Sequence, residues 1–364
     1  MAEVYKYFTN DDIVPGDIQT VSQPIWSENM NPFSQSYASG IGFFTSTAQL
    51  SQSGDYFVNV YHRNPQTDPN AQVQFAVAYG HRKGSGSYGD VNTTGQNSND
   101  TPTRAIYSQY RNMLLPPTDT VFTFQNGTTT PDNPDDIVVI NLARARFRQK
   151  VDPGNWELRL GSGSGPTNWN TSYSTFIDAS GAGDNPNINS AGRVFGVYSG
   201  SGGVTQSAIQ YGLFYPDQGL VVFNATRLKG AAGSGGTYGL GINFNQGSSA
   251  TLGAATTQPR NHVTMSARIS GSSHFLARSE EKVTSTHYFV RVTNKQFNFS
   301  NNPTFVTGSS GTFLHDSMVR NPSVYITSIG MYDDANRLVA VAKLSRPLLK
   351  GFNREALIKV KLDY

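Results

Sequence analysis

The C-terminal stretch of the chain, residues 322–364, carries the pattern that most narrows the choice of fold. Two apolar, strand-like runs, residues 324–331 and 337–343, flank the segment Tyr332-Asp333-Asp334-Ala335-Asn336. Asp and Asn accept turn dihedral angles and hydrogen-bond their own backbone, so this segment is predicted to be a hairpin loop. A third run, residues 355–362, alternates strictly between apolar and polar positions, which is typical of a half-buried strand. The chain is therefore predicted to end in a hairpin followed by a strand, with no catalytic motif.

The composition favours a β-rich chain with long polar loops. Charged residues make up 15% of the 364 residues, against about a quarter in ordinary globular proteins. Glycine, threonine and aromatic residues are abundant, which suits strands joined by tight turns. The net charge of +3 is small, whereas phosphate binding needs a dense basic surface. Nucleic acid is therefore not expected as a partner.

Several classes of protein are disfavoured by what the sequence lacks. The chain contains no cysteine, which excludes a disulfide framework and a thiolate metal site. No run approaches the 18 apolar residues of a membrane helix, and the first residues show no secretory signal pattern. We expect a soluble protein made in a cytosol, with no membrane partner.

Most of the remaining chain has the pattern of short strands. Residues 55–61, 71–79, 262–270 and 286–292 are predicted strands, and residues 208–214 and 220–224 are predicted to form a hairpin. Residues 152–155, Asp-Pro-Gly-Asn, predict a turn that closes a hairpin between residues 136–150 and 156–160. Residues 103–115 have apolar positions at helical spacing and stop at Pro116-Pro117.

The predicted fold class is mainly β. We expect an antiparallel β-sandwich-like body with long loops, one short helix and an extended N-terminal arm. The predicted domains are an N-terminal docking arm over residues 1–52, a β-rich body over 53–320 and a C-terminal strand module over 321–364. The module is expected to pack on the body or on a neighbouring subunit.

One predicted strand, residues 141–150, carries an unusual charge pattern. Period-two spacing would place Arg144, Arg146, Arg148 and Lys150 on one face. Four like charges on one face repel unless something negative lies opposite. The face could be solvated and helped by Asp152 and Glu157, could meet an acidic patch on a neighbouring subunit, or could bind nucleic acid. The sequence leaves these alternatives open.

No motif predicts a catalytic centre or a cofactor. Residues 84–89 match GxGxxG, but no helical pattern follows, so a surface loop is predicted rather than a dinucleotide site. The six histidines lack metal-ligand spacing, and no GxSxG elbow occurs. A pair of glycosidase carboxylates gathered by the fold stays open. We expect a protein that is not an enzyme and that holds no cofactor or metal.

The C-terminal sequence resembles a known group of proteins. The run ITSIGMYDDANRLVAVAKLSRPLLK and the final IKVKLDY resemble a module in virion structural proteins of T4-like contractile-tailed phages, above all those of cyanophages. The segments ARARFRQKVDPGNWELRL and RAIYSQYRNMLLPPTDTVFTF are similar to the same group. The resemblance implies a non-catalytic tail or baseplate protein of the virion, assembled in the host bacterial cytoplasm.

These observations predict a structural subunit that acts through assembly interfaces. The expected partners are other virion proteins and further copies of the chain in a symmetric assembly. The predicted interface residues are Arg144, Arg146, Arg148, Lys150, Ile326, Ile329, Leu338, Val341, Ile358 and Val360. Alternatives are a neck or capsid-decoration protein, a depolymerase, and a tail-fibre-type receptor-binding protein that holds host-surface glycan through the aromatic- and Asn-rich residues 168–173.

Overall fold

The computed structural model of the protein describes residues 5–26, 44–45, 57–84, 102–127, 130–162, 172–179, 186–201, 204–229, 240–242, 244, 261–272, 274–300, 303–307 and 311–364. Strands account for 48% of these described residues and helices for 16%, which confirms the mainly-β class. The loop predicted at residues 84–89 lies outside the described residues except for Gly84. The same holds for residues 168–173, apart from Ser172 and Tyr173.

The described strands and helices are as follows. The strands are β1 (Ile13–Pro15), β2 (Gln19–Pro24), β3 (Phe44–Thr45), β4 (Phe57–Tyr61), β5 (Val73–His81), β6 (Asp136–Leu142), β7 (Lys150–Val151), β8 (Glu157–Gly161), β9 (Tyr173–Asp178), β10 (Asn187–Asn189), β11 (Gly192–Ser201), β12 (Val204–Tyr215), β13 (Leu220–Asn224), β14 (Phe275–Leu276), β15 (Arg278–Val283), β16 (Ser285–Val292), β17 (Val306–Thr307), β18 (Thr312–Phe313), β19 (Ser323–Tyr332), β20 (Leu338–Gly351) and β21 (Ala356–Asp363). The helices are α1 (Pro102–Leu114), α2 (Arg144–Phe147), α3 (Ala225–Leu228), α4 (Asn261–Ser272) and α5 (Ser317–Arg320).

The chain divides into two compact units. Unit 1 contains residues 1–20 and 282–364, and unit 2 contains residues 21–281. The chain passes between the units within β2 and within β15. These boundaries differ from the predicted ones at 52/53 and 320/321. The division into an arm, a body and a C-terminal module stays a prediction.

Unit 2 is built on an antiparallel sheet of eleven strands that curls into a half-barrel. The strand order is β14-β8-β9-β11-β12-β13-β6-β5-β4-β3, and β10 pairs with β11 outside this path. In β6, Val138 and Ile140 pack into one apolar cluster, whereas Ile137 and Val139 pack into a second. Both faces of the central strands are therefore buried, which is why β6 and β13 are nearly continuous apolar runs.

The two long helices of unit 2, α1 and α4, pack on its sheet. The helix α1, predicted from its spacing, buries Tyr107, Tyr110 and Leu114 in the second cluster. The helix α4 buries Met265 and Ile269 in the first cluster. The second helix corrects the sequence prediction, because residues 262–270 were expected to form a strand and the body was expected to hold one short helix.

The basic segment does not form the predicted strand. The strand β6 ends at Leu142, the short helix α2 follows, and Arg148 adopts a positive φ of 50° before β7 begins at Lys150. The four basic side chains therefore do not share one strand face, and the charge stripe predicted there is wrong. The turn at residues 152–155 is present, but it leads from β7 to β8, which belong to different sheets. The hairpin predicted around it is also wrong.

Unit 1 contains small antiparallel sheets. The strands β1, β16 and β21 form one sheet with β16 in the centre, and β19 and β20 form a two-stranded hairpin. A third pair, β17 and β18, is two residues long on each side. The predicted C-terminal hairpin and the strand after it are both confirmed.

Candidate assembly surface

The described residues show no metal-binding cluster and no membrane-spanning helix. No group of three or more His, Cys, Asp or Glu side chains in this part of the chain is placed to share a metal ion. Among the same residues, no helix is both long and apolar enough to cross a membrane.

Unit 1 differs from unit 2 in where its apolar side chains lie. Both clusters of buried apolar side chains found among the described residues belong to unit 2. By contrast, nineteen of the twenty-four exposed large apolar side chains in the described part of the chain lie in unit 1, although it is the smaller unit. Large apolar side chains exposed together mark surfaces that contact other molecules. Unit 1 is therefore the candidate assembly surface.

The β19–β20 hairpin is the longer of the two-stranded sheets of unit 1, and only Lys350 and Gly351 at its base are buried. Its turn is fixed by Asp333, whose carboxylate accepts hydrogen bonds from the backbone N–H groups of Ala335 at 3.0 Å and Arg337 at 2.8 Å. The hydrogen bond from the Arg337 backbone lowers the pKa of the Asp333 carboxyl. Asn336 takes the left-handed conformation, with φ 58°, that this turn requires. The hairpin is thus locally well defined by its sequence.

Exposed apolar side chains surround Gly330 near the tip of this hairpin. Val341 is paired directly with Gly330 across the strands and is 63% exposed. A β-carbon at Gly330 would lie 3.0 Å from the Tyr332 ring and 3.1 Å from Leu338, so both side chains lie over the glycine. We call these four residues the tip patch. A two-stranded hairpin is marginally stable in water by itself, so covering this patch would stabilise it.

The base of the hairpin is anchored by a buried lysine. Lys350 is fully buried, and its ammonium donates hydrogen bonds to Asn298 Oδ1 at 2.8 Å, Asn294 O at 3.0 Å and Gly351 O at 3.3 Å. Burial lowers the pKa of the Lys350 ammonium, and Glu355 partly opposes this. These three oxygens match the three donors of the ammonium, so Lys350 holds the loop after β16 against β20.

The third C-terminal strand, β21, lies in the sheet of β16. Ile358 and Val360 pair with Val290 and Tyr288 and are 8% and 6% exposed. Lys359, on the opposite face, lies 5.8 Å from the centre of the Phe289 ring. Of the six apolar residues predicted at an interface, Ile358 and Val360 are buried, Ile326 and Ile329 are half-buried, and Leu338 and Val341 are exposed.

The N-terminal segment of unit 1 lies against its own chain. The strand β1 pairs with β16, and Gly16 donates a backbone hydrogen bond to Ser285 O at 2.8 Å. The ring of Tyr5 packs edge-on against Tyr332, with the ring centres 5.3 Å apart. This part of the predicted arm is therefore docked within the chain, and docking on a neighbouring subunit stays a prediction.

The basic residues predicted at an interface have partners within unit 2. Lys150 Nζ lies 2.6 Å from Glu280 Oε1, and Arg148 Nη1 lies 3.0 Å from Glu281 Oε2. Arg144 donates to Asp217 O at 2.9 Å and stacks on the Phe147 ring; Arg146 lies in the short helix between them. The carboxylates that balance Arg148 and Lys150 come from β15 of the same chain. Repulsion between these basic residues therefore no longer calls for an acidic patch on a neighbouring subunit. A role of these residues in an interface stays a prediction.

Sequence reasoning missed a buried arginine that has a structural role. Arg227 is 8% exposed and donates to Asp132 Oδ2 at 2.8 Å and to Gln125 O at 2.7 Å, and it also contacts Gln210 O. It therefore ties the segment before β6 to β12. No local motif marks such a residue, because its acceptors, one carboxylate and two backbone oxygens, are brought together only by the fold.

Comparisons with family models, with curated proteins and with solved structures found no match for this chain.

Proposed function

We propose that the chain is a non-catalytic structural subunit of a bacteriophage virion, in the tail or baseplate, and that unit 1 contacts neighbouring subunits. The proposal combines the sequence resemblance of residues 326–364 with the surface of the unit that contains them. The observation that carries it is the concentration of exposed apolar side chains in unit 1, whereas both buried apolar clusters of the described residues lie in unit 2.

A physical argument connects this distribution with assembly. Burying apolar surface contributes about 25 cal/mol for each Å² removed from water. Unit 1 leaves Tyr325, Leu338, Val339 and Val341 between 54% and 68% exposed in one hairpin. If a neighbouring subunit covered these side chains, the burial of their apolar surface would stabilise the contact between the subunits. Tail and baseplate subunits work under these conditions, since each is permanently surrounded by others.

The test is incorporation into particles. A phage that lacks the gene is complemented with chains carrying Leu338→Glu and Val341→Glu, and the purified particles are assayed for the protein. Both side chains are exposed, so the isolated chain should fold, whereas a buried interface would not tolerate two unpaired carboxylates. We expect incorporation to fall at least tenfold.

The matched control is Ile188→Glu in unit 2, where the side chain is 81% exposed. This variant should be incorporated like the wild type. Normal incorporation of the double variant, with a normal thermal unfolding curve, would contradict the proposal that the tip patch is buried in the particle.

A further inference from the structure

The two outer edges of the β19–β20 hairpin differ in how well they are protected. The sequence of β19, SVYITSIGMY, contains no charged residue and no proline. Among the described residues its only strand partner is β20, and no backbone hydrogen bond is formed at its other edge. An uncharged, β-branched strand with a free edge is a template for pairing with another strand.

The outer edge of β20 carries the usual protections against pairing. It contains Lys343, Arg346 and Pro347, and proline cannot donate a hydrogen bond to a ladder. Its register with β19 is also interrupted, because Ile326 pairs with Leu348 while Ser328 pairs with Lys343. Charge, proline and a bulge all oppose strand addition on this side. Of the two edges of this hairpin, the β19 edge is the one suited to strand addition.

We propose that β19 pairs antiparallel with β19 of a second copy of this chain across a two-fold axis. The resulting sheet would have the order β20-β19-β19-β20. Antiparallel pairing of identical strands gives a self-complementary interface, in which neither copy buries a charged side chain from β19. The paired sheet would also have four strands, which is enough for stability, whereas a single two-stranded hairpin is marginally stable.

The positions of the basic side chains favour pairing with a second copy through the β19 edge. The basic side chains Lys343 and Arg346 lie on β20, which would form the two outer strands. Strands are spaced about 4.8 Å apart, so the two β20 strands would be about 14 Å apart, beyond the Debye length at physiological salt. Pairing through β20 would instead bring these like charges together. Two copies can therefore pair through the β19 edge without repulsion between these basic side chains, but not through the β20 edge.

The absence of cysteine makes this arrangement directly testable. Thr327 and Ser328 are exposed at the middle of β19 and would lie next to their equivalents near the two-fold axis. A disulfide formed by Thr327→Cys or Ser328→Cys in the full chain can join only two copies, because the protein has no other thiol. The matched control is Ser345→Cys, an exposed position on β20.

The expected results under mild oxidation are disulfide-linked dimers of the Thr327→Cys or Ser328→Cys chain and at least tenfold fewer from Ser345→Cys. In sedimentation, the wild type should dimerise with rising concentration. Thr327→Lys should remain a monomer, and Ser345→Lys should dimerise like the wild type. A wild type that is monomeric up to submillimolar concentration, or equal cross-linking from Ser345→Cys, would overturn the inference.

This inference rests on the proposed assembly function, but the two can fail separately. If the wild type is a monomer while Leu338→Glu and Val341→Glu still abolish incorporation, the pairing is wrong and the assembly function stands. If the β19 cross-link forms and incorporation is unaffected by those changes, the pairing stands and the proposed role of the tip patch is wrong.

Discussion

Gly219 lies directly against the ring of Phe147: a β-carbon on the glycine would be 2.4 Å from two ring atoms. Gly219 ends the turn between β12 and β13 with a φ of +69°, and Phe147 is completely buried in the short helix α2. The Gly219 carbonyl accepts a hydrogen bond from Leu142 N at 2.9 Å, at the end of β6. One glycine thus meets two requirements, a left-handed turn and a close approach to a buried ring.

Replacing Gly219 by alanine should destabilise unit 2 for two reasons. The left-handed conformation costs a residue with a side chain about 1–2 kcal/mol, and crowding the buried ring costs about a further 1–3 kcal/mol. Gly127→Ala is the matched control, because its φ is +67° but its nearest neighbour, Ala208, would be 3.5 Å away. Urea unfolding of the three proteins separates the two costs. Equal loss in both variants would show that Phe147 moves aside freely.

The ion pair between Lys150 and Glu280 should stabilise the junction of β7 and β15. Its atoms are 2.6 Å apart and each side chain is 13% exposed, so neither charge is well hydrated. Lys150→Met should cost about 1.5–3 kcal/mol, because it leaves a carboxylate half-buried without its partner. A double-mutant cycle with Glu280→Leu measures the pair, and the double variant should lose less than the two single losses combined. Additive losses would indicate that the pair is solvated and contributes little.

Asp217 should make the stability of unit 2 depend on pH in the acid range. Partial burial opposes ionisation of Asp217, but hydrogen bonds from the side chain and backbone of Arg193 outweigh it and hold the pKa of the carboxyl below its usual 3.8. A lowered folded-state pKa gives stability that is complete above the unfolded value and is lost as the pH falls through the folded value.

Asp217→Asn should therefore unfold at a lower urea concentration than the wild type at neutral pH. The difference should shrink as the pH falls below 3.8, because the wild-type carboxyl then becomes neutral as well. Arg193→Met should show the same trend with a smaller difference, since it removes the side-chain hydrogen bond and charge that favour the ionised form but keeps the backbone hydrogen bond. A difference that stays constant through the acid range would contradict this role of the Arg193 hydrogen bonds.

The sequence predicted those elements whose own pattern decides their structure. The alternation of residues 355–362 and the turn at Asp333 are local signals, and β19, β20 and β21 follow them. The strand predicted over residues 141–150 is wrong because the period-two spacing of its charges is typical of a strand, whereas Phe147, its main buried side chain, lies in a helical turn. The helix α4 was missed because the polar side chains of His262, Ser266 and Arg268 occupy buried positions and hide its helical period.

The candidate surface could be predicted only in part. Leu338 and Val341 were among the predicted interface residues and are exposed, but Ile358 and Val360 have the same apolar character and are buried. Alternation shows which residues share a face of a strand, whereas burial depends on what the rest of the chain places over that face. Which apolar residues of unit 1 are exposed therefore depends on the whole fold and cannot be read from the sequence pattern of each strand.

Burial of the tip patch in the particle can be measured by amide hydrogen exchange of β19 and β20 in the dilute purified chain and in the assembled particle. A marginal hairpin exchanges rapidly in isolation, and burial of its tip patch against a neighbour would slow this exchange. We expect exchange of these amides to become at least tenfold slower in the particle, while the amides of β6 and β13 in unit 2 stay equally protected in both. Rapid exchange of β19 and β20 in the particle, unchanged from the purified chain, would contradict this burial.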